Sequence, residues 1–213
     1  MLNHDCLALY LQFIINIILL IGLALFLKNG IRANIVLFVF LSGEFMLELS
    51  DLICRFFRLN SFNTYNYPVS QFFDLILITK IYGKYFLRIP GLLKFVVYIF
   101  ALMFLTINIV CTKNIKFVTF YSNIVSSIIV CGFAAVYFFN TFQTVRVQRS
   151  LFALNVSVFL FFSVESLISI TFNFLISNNL KWVAPIWLFR GVLLVFFYIA
   201  IINLGCRIGK IRA

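Results

Sequence analysis

Apolar residues run along this chain in long unbroken blocks, neither alternating nor confined to one helical stripe. Seven blocks stand out: Leu7–Leu27, Asn34–Phe57, Pro68–Phe86, Leu92–Val110, Phe117–Phe139, Leu151–Ile176 and Trp182–Leu204. Each is close to the roughly 20 apolar residues that carry an α-helix across a bilayer. Continuous blocks do not suit a transmembrane β-barrel, whose strands alternate. The longest connections are the Asn-rich Leu59–Tyr67 and Asn140–Ser150, too short for an extramembrane catalytic or DNA-binding domain. The pattern predicts an all-α fold: a polytopic membrane protein of seven transmembrane helices forming one domain over residues 1–213. The first block has no Lys or Arg ahead of it and no small-residue cleavage site after it, so it reads as a retained helix.

Composition sharpens the class. Hydrophobic residues make up 64% of the 213 and charged residues 11%, against about half and a quarter in soluble domains. A surface facing water cannot be built from that, which excludes a soluble enzyme, a disordered chain and a secreted disulfide scaffold. The formal charge of +11 would suggest nucleic acid on a soluble protein. Here the basic residues stand singly or in pairs between apolar blocks, so they read as flanking charges and no nucleic-acid partner is expected.

Those flanking charges predict an orientation. With the C-terminus inside, the inner side carries Lys28, Arg32, Lys80, Lys84, Arg88, Lys94, Arg146, Arg149, Arg207, Lys210 and Arg212. The outer side carries only Arg55, Arg58, Lys113, Lys116 and Lys181. The N-terminus is therefore expected outside and the C-terminus inside, in the cell membrane (for a bacterial chain, the inner membrane). Tyr65, Tyr67, Trp182 and Trp187 then fall near the outer interface, where amphipathic rings prefer to lie. Cys54 and Cys111 share that side and would suit a disulfide in an oxidising compartment, the alternative being buried thiols.

The sharpest signal is charge inside the blocks. Glu44, Glu48 and Asp51 fall in the second, Asp74 in the third, Glu165 in the sixth and Arg190 in the seventh. A charge at mid-bilayer costs about 2.5–3.5 kcal/mol even on the lenient insertion scale, so these residues should face the bundle interior. Glu44, Glu48, Asp51 and Arg55 recur at helical spacing, with Leu37 and Leu41 on the same stripe. Asn155, Phe162, Glu165, Ser169 and Asn173 share a face of the sixth helix. Asp51 with Arg55 reads as an i,i+4 pair, and Asp74 with Arg190 as an ion pair between helices three and seven. Glu44 and Glu165, left without a basic partner, are expected to converge at mid-depth in an acidic pocket open to the outside. The candidate ligand-binding set is Glu44, Glu48, Asp51, Asp74, Glu165, Arg190, Ser42 and Ser163. No Cys/His spacing suggests a metal site, and no cofactor is expected.

An internal echo supplies Ser42 and Ser163. NIVLFVFLSGE (residues 34–44) aligns without a gap on NVSVFLFFSVE (residues 155–165), matching Asn34, Phe38, Phe40, Ser42 and Glu44 with Asn155, Phe159, Phe161, Ser163 and Glu165. Phe73-Asp74 likewise stands against Phe189-Arg190, and Pro68 against Pro185. The echo predicts a parallel repeat, about residues 7–86 and 117–204, joined by a linker helix over 92–110. This 3+1+3 plan resembles that of SWEET sugar transporters, PQ-loop proteins and KDEL receptors in architecture only, since the Pro-Gln pairs of the PQ-loop group are absent. Along most of its length the chain also resembles a family of short, functionally uncharacterised bacterial seven-helix proteins. The residues that carry this likeness are the acidic second helix, Tyr67-Pro68, the run Phe72–Leu77, and Asn155 followed by Phe161-Phe162-Ser163. In that family the Asp74 position is usually Glu and several members sit beside signalling genes. The resemblance implies no established activity.

Three function classes follow. An enzyme lacks parts: His4 is the only histidine, Arg190 replaces the lysine a retinal Schiff base needs, and only an acid-based lipid hydrolase remains conceivable. A carrier for small solutes, coupled to protons or cations, accords with repeats and mid-depth carboxyls. A sensor or receptor-like module would bind a small polar or cationic ligand in the pocket and signal to a separate cytoplasmic or membrane partner. The last is the reading adopted, with the carrier and a structural subunit of a membrane complex as alternatives. The expected partners are the lipid bilayer, the signalling protein and further copies of the chain.

Overall fold

The computed structural model describes residues 4–29, 35–57, 60–110, 115–144, 148–178 and 180–212. Arg32, Asn34, Arg58, Cys111, Lys113 and Arg146 lie outside these, as do the side chains of His4, Lys116, Asn173, Lys210 and Arg212. The protein is all-α and 96% helical, with no strand among the described residues. Its helices are α1 (His4–Asn29), α2 (Ile35–Phe56), α3 (Asn60–Ile81), α4 (Gly91–Val110), α5 (Ile115–Thr144), α6 (Arg149–Asn178) and α7 (Leu180–Arg212).

Among the described residues, five helical stretches are long and apolar enough to cross a membrane: Cys6–Lys28, Gly91–Val110, Tyr121–Gln143, Arg149–Thr171 and Lys181–Ile208. α2 and α3 are of spanning length at 22 residues each, about 33 Å at 1.5 Å per residue. They are less apolar because α2 carries Glu44, Glu48, Asp51 and Arg55, and α3 opens on Asn60, Asn63 and Asn66.

Two expected boundaries move. The Asn-rich stretch expected to be a loop forms the first turns of α3, and Pro68, expected near a helix start, lies inside that helix. Pro185 likewise lies inside α7. Each proline sits within three turns of its helix N-terminus, where a single lost backbone hydrogen bond leaves the rest of the helix intact. At its other end α3 widens into a π-helical turn, Tyr82–Phe86, closed by the Leu87 amide on the Tyr82 carbonyl at 2.8 Å.

The helices pack in chain order: α1 against α2, α2 against α3, α5 against α6, and α6 against α7. α1 meets α7 and α3 meets α5, which closes a ring of six; α4 lies outside against α3 and α5. Glycines bring α1 and α7 together. A Cβ on Gly191 would lie 2.4 Å from Leu11, one on Gly22 2.6 Å from Ile202, and one on Gly205 1.9 Å from Phe26. Contact positions that rise together along both helices mean that α1 and α7 run parallel. Small residues at such seams let backbones approach where lipid supplies no hydrophobic drive between helices.

Many of the largest apolar side chains outside this core face outward: Phe13, Ile17, Leu20, Leu92, Phe95, Leu102, Phe139 and Phe196 are all exposed. The interior, by contrast, holds Glu44 and Glu165, each 4% exposed, and Asn155 at 0%. An outer face this apolar, with carboxyls enclosed among the buried side chains, departs from the order of a water-soluble bundle.

Candidate functional site

A cavity of about 420 Å³ lies between α1, α2, α3 and α7. The N-terminal parts of α1, α3 and α7 and the C-terminal part of α2 form it, so it sits toward one end of the bundle. α1 contributes Gln12, α2 contributes Glu48, Asp51 and Arg55, α3 contributes Asn66, Tyr67 and Ser70, and α7 contributes Trp187 and Arg190. Leucines and Ile15 supply its apolar side.

Helical spacing explains the α2 wall. Glu48, Asp51 and Arg55 follow one another at three and four residues, so they stack on one face. One turn deeper on that face come Glu44, Leu41 and Leu37, all buried. One oxygen of Asp51 is doubly engaged: its Oδ2 accepts from Arg55 Nε at 2.9 Å, the i,i+4 pair that the spacing implies, and from Gln12 Nε2. Asn66 exchanges hydrogen bonds with Ser50, its amide donating at 3.1 Å. Glu48 makes no hydrogen bond or ion pair to any described residue, although Arg190, Asp51 and Arg55 all act on it electrostatically.

Arg190 does not pair with Asp74 as expected; its ion pair is with Glu165 of α6. Nε donates to Oε2, and Nη2 lies 3.4 Å from Oε1. The guanidinium also lies over two rings, 5.1 Å from the centroid of Trp187 on the cavity wall and 5.5 Å from that of Phe161 beneath. Glu165 therefore has the basic partner that sequence reasoning denied it. Its Oε1 further accepts from the Tyr67 hydroxyl at 2.6 Å and the Asn123 amide at 3.0 Å, and that amide also reaches Ser169 Oγ at 2.6 Å. One carboxylate thus ties α3, α5, α6 and α7 together. Tyr67, expected at the membrane interface, turns inward for this reason, whereas Tyr65 and Trp182 are exposed.

Glu44 is held differently. Tyr198 of α7 donates to its Oε2 at 2.7 Å, while Oε1 is buried with no donor. The Asp74 carboxyl lies within electrostatic reach of Glu44, Glu165, Arg190 and Glu48. Glu44 and Glu165 are held by different α7 side chains, Tyr198 and Arg190, eight residues apart. Below them, Phe197 stacks on Phe161 with centroids 5.6 Å apart, and Phe40 and Phe162 meet Phe197 edge-on. This aromatic layer floors the polar region.

Of the candidate set, Glu48, Asp51 and Arg190 line the cavity, while Glu44, Asp74 and Glu165 lie beneath or behind its wall. Ser42 and Ser163 belong to neither place. Ser42 Oγ donates to its own helix at Val39, and Ser163 Oγ lies 3.5 Å from Cys131 Sγ. Ser42 satisfies itself locally, as helical serines commonly do, and the Ser163 contact joins α6 to α5. Cys54 is a buried free thiol. Among the described residues no group of three or more His, Cys, Asp and Glu side chains is placed to hold a metal ion.

Sequence reasoning missed Gln12, Tyr67, Asn123 and Tyr198. For Tyr198 a signal existed. It stands eight residues after Arg190, as Tyr82 stands eight after Asp74, and the Tyr82 hydroxyl likewise ends on a polar side chain, Asn155 Oδ1, at 2.6 Å.

No protein-family model, curated protein or solved structure matches this chain.

Proposed function

We propose that the chain is a seven-helix integral membrane protein whose cavity binds a small polar or cationic ligand, and that it acts as a sensor-like module signalling to a separate protein. The observation that carries the reading is the cavity itself. It lies toward one end of the bundle and is walled by polar groups from four helices. A cavity of this volume, apolar in part and set with a few fixed polar groups, is what a binding site requires. Arg190, on its wall, is wired through Glu165 to α3, α5 and α6. A ligand that displaces Arg190 would thereby shift helices that do not touch it, which is how a bound state reaches a partner.

The seven-helix reading takes α2 and α3 as membrane-spanning by virtue of their neighbours, which cover their polar faces. A 3+1+3 plan is supported by the adjacency of the elements. Mapping α1, α2 and α3 onto α5, α6 and α7 converts the α1–α7 contact into the α5–α3 contact, and leaves α4 as the linker. The cavity end carries fewer basic residues, in keeping with an exterior opening.

A carrier is the second reading, and one observation favours it. Asp51, Glu48, Glu44 and Asp74 descend from the cavity mouth toward the aromatic floor, and such a ladder of carboxyls would pass protons or cations inward.

The two readings part in proteoliposomes. For the sensor, a solute that saturably raises the thermal stability of the purified protein produces no flux of that solute or of protons. Flux abolished by Glu44→Gln and by Glu48→Gln, in variants that keep the fold, would replace the sensor with the carrier.

A further inference from the structure

The engaged and free groups on the cavity wall show what kind of ligand would complete it. Both cations are committed, Arg55 to Asp51 and Arg190 to Glu165. The Tyr67 hydroxyl and the Asn66 amide also have partners. Two strong acceptors remain. Glu48 has no hydrogen bond or ion pair to a described residue. The Oε1 of Gln12, a side chain 5% exposed, is buried with no donor, while its Nε2 is held by Asp51. That second bond fixes which end of the amide carries the oxygen. A buried acceptor without a donor is costly; Gln12 Oε1, on α1, is one, and the half-buried Glu48, on α2, lines the same cavity.

We infer that the cavity takes a small organic ammonium, a primary or secondary amine in its protonated form, whose N–H groups are received by Glu48 and Gln12 Oε1. The inference rests on the ligand-binding reading above and names the ligand class. Charge agrees: the wall and its immediate supports set the carboxyls of Glu48, Asp51 and Glu165 against two arginines. Size argues against a bare inorganic ion, since about 420 Å³ is the share of liquid volume of roughly a dozen waters. The remaining wall, Leu11, Ile15, Leu47 and Leu194, would cover an apolar body, and the Trp187 ring stands among them.

The test uses the full chain in nanodiscs, with Trp fluorescence and thermal unfolding as readouts. The probes are n-butylammonium, its neutral isostere 1-butanol, choline (which carries the charge without an N–H) and sodium chloride. The expected result is saturable stabilisation by n-butylammonium, at least tenfold weaker binding of choline, and no saturable response to 1-butanol or sodium. Glu48→Gln weakens n-butylammonium at least tenfold and Gln12→Met several-fold. Leu188→Trp, which fills the cavity from a different wall, abolishes binding and serves should Glu48→Gln fail to fold. Equal affinity in wild type and Glu48→Gln, or stabilisation by sodium alone, overturns the amine. If glucose or glycerol binds instead and Leu188→Trp abolishes that response, the amine falls and the ligand cavity stands. If no probe saturates, both fall.

Discussion

Arg190 is gripped from three sides, by the Glu165 carboxylate and by the rings of Trp187 and Phe161. The burial that makes such a pair strong also makes its partners interdependent. Removing one charge strands the other in a medium where an unpaired ion is expensive, at about 3–5 kcal/mol for a buried pair. Glu165→Leu should therefore lower stability by about that amount, whereas Glu165→Leu combined with Arg190→Met should recover most of it. Unfolding in mixed detergent measures both, and simple additivity of the two losses would refute the pairing. Asp74 serves as the control, because it has no ion pair to lose. Asp74→Asn keeps a hydrogen-bonding group beside Glu44 and removes one carboxyl from a crowded set, so it should leave stability unchanged or raise it. A loss comparable to that of Glu165→Leu would show that Asp74 is paired after all.

At the scale of elements, the seam between α1 and α7 depends on the absence of side chains. A Cβ at Gly205 would meet the Phe26 ring at 1.9 Å, and Phe26 is itself buried at 3% exposure, so the ring has little room to yield. Gly205→Val should separate the C-terminal halves of the two helices and cost about 1–3 kcal/mol, the usual range for overpacking. Adding Phe26→Ala should relieve part of that loss. The thermal midpoints of the three variants decide it, and an unchanged midpoint in Gly205→Val would mean that the seam is looser than described. The seam also borders the cavity, because Gly191 and Leu11, in contact with one another, both line it. Bulk placed at Gly191 should therefore alter binding as well as stability.

For the whole molecule, the decisive property is that an apolar exterior surrounds a largely apolar core in which carboxyls are enclosed. Helix count follows from it: if α2 and α3 span the bilayer together with the five apolar helices, the two ends of the chain lie on opposite sides. Cys6, exposed near the start of α1, should react with a membrane-impermeant maleimide in intact cells of the host. A cysteine introduced at Lys210 should react only after permeabilisation, in a background lacking the other cysteines. Reaction of both from one side would remove a span and with it the proposed orientation.

The blocks of apolar residues determined by themselves that the chain is helical and made for lipid, because helix length and side-chain transfer free energy are local quantities, summed along the sequence. The same logic reached the α2 stripe and the inward face of α6, since a 3.6-residue period needs no partner to be read. Which charge meets which is not local. Asp74 and Glu165 were equally available to Arg190 on paper, and only the packing of α6 against α7 gave Glu165 the guanidinium while leaving Asp74 beside Glu44. The inward turn of Tyr67 and the orphaned oxygen of Gln12 were decided in the same way. A polar side chain inside a membrane protein takes its role from its neighbours, and those neighbours come from other helices.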